Sequence, residues 1–277
     1  MLQLTLRQLL LAASLLASWP GGGRPAPPAI AWQELGPGLQ LGEYVPATKS
    51  EIGDSKITIL RINPKFYTFR LLESVRYKDQ RRTAAQWCQQ EKLVACINAG
   101  MYQPDGRNVG YMRNYKSVNN AAFNADNCLL AFNPADSLRA EIKLIDRGCE
   151  ADWEQQAQRY HSVSQSVRMI DCHRNNTWAQ QPKKWSSVVW GLDNDGQALM
   201  IFCRSPYTMH DYVDILLQSP LNIQQAMYLE GGPEASLYVK SGRTERNLFG
   251  SYETGFTEND DSRAAFTLPN VIGIVPK

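Results

Sequence analysis

The sequence lacks most of the features that assign a chain quickly. It has three histidines in 277 residues and no Cys-x-x-Cys or His-x-x-x-His spacing, which excludes a zinc site of the usual pattern. It has no dense basic stripe. Its 29 Lys+Arg and 27 Asp+Glu leave a net charge of +2, and the basic residues are scattered apart from pairs such as Arg81-Arg82 and Lys183-Lys184, so nucleic acid is set aside as a partner. There is no Gly-x-Ser-x-Gly elbow, and no histidine follows Ser236 to complete the usual hydrolase order. Internal repeats and linker-like stretches are absent too, so a single domain is expected.

Long hydrophobic runs are missing except at the start. Leu9–Ala17 is apolar, but it falls short of the ~20 residues that span a bilayer, and a Gly/Pro-rich stretch, Pro20–Pro28, follows it. Residues 1–31 therefore read as a signal peptide cut before Trp32. An uncleaved anchor is the alternative, since the triplet Ala29-Ile30-Ala31 lies far past the apolar core. With the leader removed, no membrane span is expected, and the location would be periplasmic or secreted.

The remainder, 32–277, has ordinary globular composition, with 43% hydrophobic and 20% charged residues over the whole chain, which excludes disorder. Six cysteines, Cys88, Cys96, Cys128, Cys149, Cys172 and Cys203, favour disulfides in an oxidising compartment. Spacing does not fix the connectivity. Neighbour pairing, Cys88–Cys96, Cys128–Cys149 and Cys172–Cys203, is the expectation, with buried free thiols as the alternative.

Period-two patterning predicts strands over Gln33–Val45, Ser55–Asn63 and Lys65–Leu72. Thr83-Ala84-Ala85-Gln86 has the form of a capping box and predicts a helix over 84–92, followed by a strand over 93–98. Gly110–Ser117 reads as a hairpin. Strands are predicted at Cys128–Phe132, Glu141–Asp146 and His161–Asp171, with a short helix near Glu150–Gln158. Ser187–Leu192 and Gln197–Cys203 read as strands joined through Asp193-Asn194-Asp195-Gly196. Thr208 caps a helix in which Met209, Tyr212, Val213, Leu216 and Leu217 recur at helical spacing, and a strand over Ala226–Glu230 follows. Many strands with about three helices make an α+β domain around a mixed, largely antiparallel sheet.

Two turns carry chemistry. In Tyr228–Val239 a strand ends in Glu230, the Gly231-Gly232 pair lets a ligand approach the main chain, and Glu234 precedes a new strand through Ser236. Upstream, Ile97-Asn98-Ala99-Gly100-Met101-Tyr102 runs from an apolar strand into a small-residue turn bearing an amide and a phenol. In this order, with Ser164–Ile170 as a central strand and Pro269–Ile274 as a closing one, the chain resembles the phosphodiester glycosidase family over about residues 55 to 277. That family usually has Asp where Glu230 stands and commonly Arg where this chain has Lys183 and Lys184.

The resemblance implies hydrolysis of a sugar-1-phosphodiester in an envelope or extracellular glycan, with no cofactor and no metal. Such a reaction needs a carboxylate to activate water or attack, and cations for the phosphate. Glu230 is the first choice of carboxylate, Glu234 the second and Asp105 the third, although Asp105 also suits simple turn chemistry. Arg168, Lys184 and Arg204 are the phosphate candidates. His210, in the first turn of a helix, would be a neutral base or donor. Asn98, Gly100 and Tyr102 would shape the sugar site, the Gly231 and Gly232 amides would bind an oxyanion or hold Glu230, and Ser236 lies beside them. His161 and His173 read as structural. The acidic runs Asp193–Gly196 and Glu258–Asp261 read as a hairpin turn and an exposed loop rather than calcium sites. Two alternatives stand beside the hydrolase: a non-catalytic glycan-binding protein on the same fold, and a metal-assisted hydrolase using Glu230, Glu234 and Asp105.

Overall fold

The computed structural model describes residues 29–137 and 139–277, so the expected leader lies outside the described residues up to position 28. The first part of the chain gives β1 (Ala31–Gly36), β2 (Leu39–Tyr44), β3 (Ile57–Ile62), β4 (Tyr67–Glu73), α1 (Ala84–Glu91) and β5 (Ala95–Asn98). The middle gives β6 (Met112–Asn114), β7 (Ser117–Asn120), β8 (Cys128–Pro134), β9 (Ile142–Asp146), α2 (Trp153–Gln158), β10 (Tyr160–Ser166) and β11 (Arg168–Ile170). The last part gives β12 (Trp185–Asp193), β13 (Ala198–Tyr207), α3 (Met209–Gln218), β14 (Ile223–Gly231), β15 (Ser236–Ser241), β16 (Thr244–Phe249) and β17 (Asn270–Pro276).

The α+β class with three helices holds, but the strands divide among three sheets. One has the order β1-β2-β3-β13-β12-β14-β11, the second β7-β6-β10-β8-β9, and the third β16-β15-β5-β17-β4. Neighbours in all three run antiparallel.

Alternation along the strands explains the layering. Leu60 and Ile62 of β3, Ile97 of β5, Leu130 and Phe132 of β8, Trp190 of β12, Leu229 of β14 and Ile272 of β17 all point into one central core shared by the three sheets. The intervening residues point outward, where each sheet has its own helix. Val189, Leu199 and Ile201 meet Tyr212, Val213 and Leu216 of α3. Cys96, Tyr238 and Val271 meet Trp87 and Cys88 of α1. Leu129, Ala131 and Val163 meet Ala157 of α2. Both predicted caps form: Thr83 and Gln86 make the reciprocal box at α1, and Thr208 accepts from the Asp211 amide at α3.

Other expectations are corrected. The strand expected over His161–Asp171 breaks at Val167 into β10 and β11, which belong to different sheets, and Gln33–Val45 folds as the β1/β2 hairpin. The cysteines pair differently as well. Cys149 is bonded to Cys172, while Cys88, Cys96, Cys128 and Cys203 are buried free thiols. The expected Cys128–Cys149 and Cys172–Cys203 links fail because Cys128 packs in the central core and Cys203 packs beneath α3. Cys88 and Cys96 are neighbours between α1 and its sheet, but the Cys96 thiol donates to the Ala84 carbonyl.

Glu73, at the end of β4, is fully buried, and neither carboxyl oxygen has a hydrogen-bond partner. Asn114 and Asn119 lie nearby, their side-chain amides donating to the Leu71 carbonyl and to Asn270, and with Arg76 they offset only part of the desolvation of Glu73. Desolvation raises the Glu73 pKa. Between the unfolded and folded pKa values the native state holds the extra proton, so this group makes stability fall as pH rises. Glu73→Gln is therefore expected to raise the denaturation midpoint at about pH 8 and to change it little at about pH 4. Chemical denaturation at the two pH values checks this.

Candidate active site

The early and late turns meet because β5 and β15 are paired, with Ile97 opposite Leu237. Asn98 then clamps the late turn with both ends of its amide. Its Nδ2 donates to the Glu234 carbonyl at 3.1 Å, and its Oδ1 accepts from the Ser236 amide at 2.8 Å. Gly100, at φ +150°, leaves room for the Asn108 side chain that a Cβ would strike. Asn98 and Ser236 thus support the site from behind, while Met101 and Tyr102 emerge into it.

The cleft these turns open is about 590 Å³, and Tyr102, Glu230, Gly231, Gly232 and Glu234 all line it. Glu230 is held at the end of β14 by its pairing with Val188 of β12. Gly231 donates its amide to Glu230 Oε1 at 3.0 Å. A Cβ at Gly231 would collide with the Tyr228 hydroxyl and the Trp185 indole, and one at Gly232, where φ is +61°, with the Glu253 carboxylate. Gly231, in extended backbone, is required by this close approach, and Gly232 by its positive φ.

The electrostatics are one-sided. Burial pushes the Glu230 carboxyl up to about 8, with Glu234 and Glu253 reinforcing the shift and the Gly231 amide opposing it. The Glu234 carboxyl is also raised, by burial and then by Glu253. The Tyr102 phenol is raised by burial and by the Glu230 and Glu234 charges, with Arg81 opposing, so it stays protonated and able to donate. The Arg81 guanidinium lies 5.7 Å from the centre of the Tyr102 ring. No salt bridge among the described residues involves Glu230, Glu234 or Glu253.

Several residues not singled out from the sequence complete the cleft. Glu253 comes from the loop after β16, Gln181 from the segment before β12, and Thr254 from beside Glu253. Trp178, Trp185 and Tyr228 form an aromatic wall, meeting edge to face with centroids 5.4 Å apart for Trp178 and Tyr228 and 6.4 Å for the other two pairs. Lys183 lines the cleft and is exposed. Of these, only Lys183 had a sequence signal, as one of the pair standing where the family commonly has Arg.

The remaining sequence candidates lie elsewhere, bound to other partners. Arg168 is spent on the buried Asp146 at 2.6 Å. Arg204 binds Asp260 at 2.5 Å and the Phe249 carbonyl at 2.8 Å. Lys184 pairs with Glu51 at 3.0 Å and, unlike Lys183, does not line the cleft. Asp105 is an exposed turn residue that accepts from the Arg107 amide and pairs with its guanidinium at 2.7 Å, which lowers its pKa. His210 sits beside Asp211 and Asp214 on α3. Among the described residues one trio of possible metal donors lies within 4.8 Å, Cys149, Cys172 and His173, and its two sulfurs are bonded to each other. Glu230, Glu234 and Glu253 do not converge that tightly.

Comparisons with known proteins match the fold to solved structures and the sequence to a family. The fold matches the zebrafish N-acetylglucosamine-1-phosphodiester alpha-N-acetylglucosaminidase catalytic domain, a structure described as auto-inhibited by its pro-peptide, with a TM-score of 0.64 and 11% identity over 88% of this chain and 86% of that one. It also matches a hypothetical protein from Synechocystis, with a TM-score of 0.57 and 12% identity, covering 90% of this chain and 64% of that one. No curated protein matches the chain by sequence. The sequence model of the phosphodiester glycosidase family matches residues 91–275, which contain both turns and every residue lining the cleft. The chain belongs to the phosphodiester glycosidase family.

Proposed function

We propose that the protein is an exported hydrolase that breaks the bond between an anomeric carbon and a phosphodiester oxygen in an envelope or extracellular glycan. The observation that carries this reading is Glu230, held at the mouth of the Gly231-Gly232 turn with its basicity raised by burial and by two neighbouring carboxylates. Phosphate is a good leaving group and needs little protonation, so the demanding step is activation of water. A carboxylate titrating near 8 is a stronger base than an ordinary one, and close matching of pKa to working pH favours proton transfer.

In this mechanism Glu230 takes a proton from water, the water oxygen bonds to the anomeric carbon, and the carbon–oxygen bond to phosphate breaks. A free sugar and a phosphomonoester leave. Tyr102, protonated beside Glu230, donates to a sugar hydroxyl, and the aromatic wall stacks on the ring face. Lys183, which lines the cleft as a point charge on a flexible stem, is the cation this reading assigns to the phosphate. Export is supported by the Cys149–Cys172 bond, which suits an oxidising compartment. Among the described residues no helix is long and apolar enough to cross a membrane.

Glu230→Gln is expected to lower kcat by roughly 10²- to 10⁴-fold on a sugar-1-phosphodiester. Steady-state kinetics check this, and unchanged turnover excludes the assignment. Sugar binding by the parent protein with no turnover would favour the glycan-binding alternative. Because the ionised carboxylate is the active form, kcat/KM for a neutral sugar is expected to climb as pH rises through about 8. A pH–rate profile that falls through that range contradicts the role of base.

A further inference from the structure

A second cavity, of about 480 Å³, opens where the free edge of one sheet faces another sheet. β4 ends the sheet β16-β15-β5-β17-β4, so its one strand partner is β17. At the two ends of that pairing the Ser74 amide donates to the Pro269 carbonyl and the Lys277 amide to the Phe66 carbonyl. Even-numbered residues between them therefore turn their main chain to β17, and Phe69 and Leu71 turn theirs to the open edge, where the cavity lies. Across it stand Asn114 and Tyr115 at the end of β6 and Asn133 on β8. It shares no lining residue with the Glu230 cleft.

The lining is cationic and aromatic. Arg70 and Arg76 line the cavity, and no acidic residue does. Arg70 is paired with Glu91 at 3.2 Å. Arg76 is exposed, and no salt bridge among the described residues involves it. A guanidinium free of carboxylates, beside main-chain N–H groups, suits an anion. The Tyr115 ring stacks on His161 with centroids 4.8 Å apart and an interplanar angle of 12°, yet stays 55% exposed, so one face is held and the other is open. Tyr115 sits at φ +55° and Asn133 at φ +58°, in the left-handed region. That region is unfavourable for a tyrosine, and a hairpin turn has no need of an aromatic ring there. What the strained backbone gains is a ring fixed at the cavity.

We infer that this cavity is a second ligand site, for a sugar carrying an acidic group, with the Arg76 guanidinium on the acid and the open face of Tyr115 on the ring. The hydroxyls of a sugar both donate and accept. They meet the main-chain amides of Phe69 and Leu71 and the side-chain oxygen of Asn133, whose nitrogen donates to the Ser162 hydroxyl at 2.9 Å. An extended acidic peptide is the rival occupant. Adding a strand to β4 needs donors and acceptors in alternation along its edge, and the Leu71 carbonyl is already taken by Asn114 Nδ2 at 2.8 Å. Ser162 in turn donates to Asn114 Oδ1 at 3.0 Å, so the obstruction is built into the neighbouring sheet. A compact ring fits the cavity better than a strand, and the site stands whether or not the Glu230 cleft is hydrolytic.

The test is an amide NMR titration of the protein with glucuronate, glucose 6-phosphate, glucose, inorganic phosphate and tetraglutamate, repeated in Arg76→Ala and Tyr115→Asn. Glucuronate or glucose 6-phosphate is expected to shift the Leu71, Tyr115 and Asn133 amides saturably, and whichever does so identifies the acid as carboxylate or phosphate. Arg76→Ala is expected to weaken that binding by about tenfold or more, as the loss of a charge-assisted hydrogen bond does. Tyr115→Asn removes the ring but suits the left-handed φ, so it is expected to weaken binding while keeping or raising the denaturation midpoint. The Gly231 and Gly232 amides report the Glu230 cleft separately, so occupancy there is not mistaken for occupancy here. The inference is overturned if neither acidic sugar shifts the three amides, or if Arg76→Ala leaves their binding unchanged. It is equally overturned if glucose or inorganic phosphate binds as tightly as the acidic sugars, or if tetraglutamate alone binds.

Discussion

The pairing of β5 with β15 is the constraint from which the site follows. It brings Asn98 against Ser236, 138 residues away in sequence, and the Asn98 side chain then spends both ends of its amide on the main chain of the late turn. The pairing is held from behind by the central core, where Ile97 and Leu237 pack with residues from all three sheets. Glu230 is fixed separately, by the β12/β14 ladder. Two ladders in two different sheets therefore converge on one turn, and the cleft opens at their junction.

At that junction the protein concentrates groups that folding alone would separate. Two adjacent glycines sit where side chains would collide with Tyr228, Trp185 and Glu253, and three carboxylates share a space in which, among the described residues, none of them is in a salt bridge. Like charges held together in a desolvated place hold protons more tightly, so the cleft favours a carboxyl whose basicity is far above that of an exposed glutamate. Elsewhere the chain pairs its charges: the interior Asp146 and Asp193 each face an arginine. Glu73 is a further buried carboxyl without a salt bridge among the described residues.

Local signals in the sequence were the most legible. The caps at Thr83 and Thr208 depend on residues three apart, and the period of α3 depends on one face of one helix, so each could be read directly. The two glycine-bearing turns were legible because close backbone approach restricts residue type within a few positions. Partners distant in sequence were not. Arg168 and Arg204 look like free cations until Asp146 and Asp260, 22 and 56 residues away, are placed beside them. Glu253 and the two tryptophans reach the cleft only through loops whose path no periodicity encodes. The disulfide was misjudged because neighbour pairing ignores which face of a strand each cysteine occupies. The break at Val167 shows the related difficulty, since one extended run can serve two sheets without a turn residue to mark the change.

The central claim is that Glu230 is desolvated among uncompensated carboxylates. The most direct measurement is a carbon-detected NMR titration of the Glu230 carboxyl in the ligand-free protein, repeated in Glu253→Gln. The account predicts a titration near 8 in the parent and a lower value once the Glu253 charge is removed. A parent value near the ordinary 4.5, unmoved by Glu253→Gln, would contradict it.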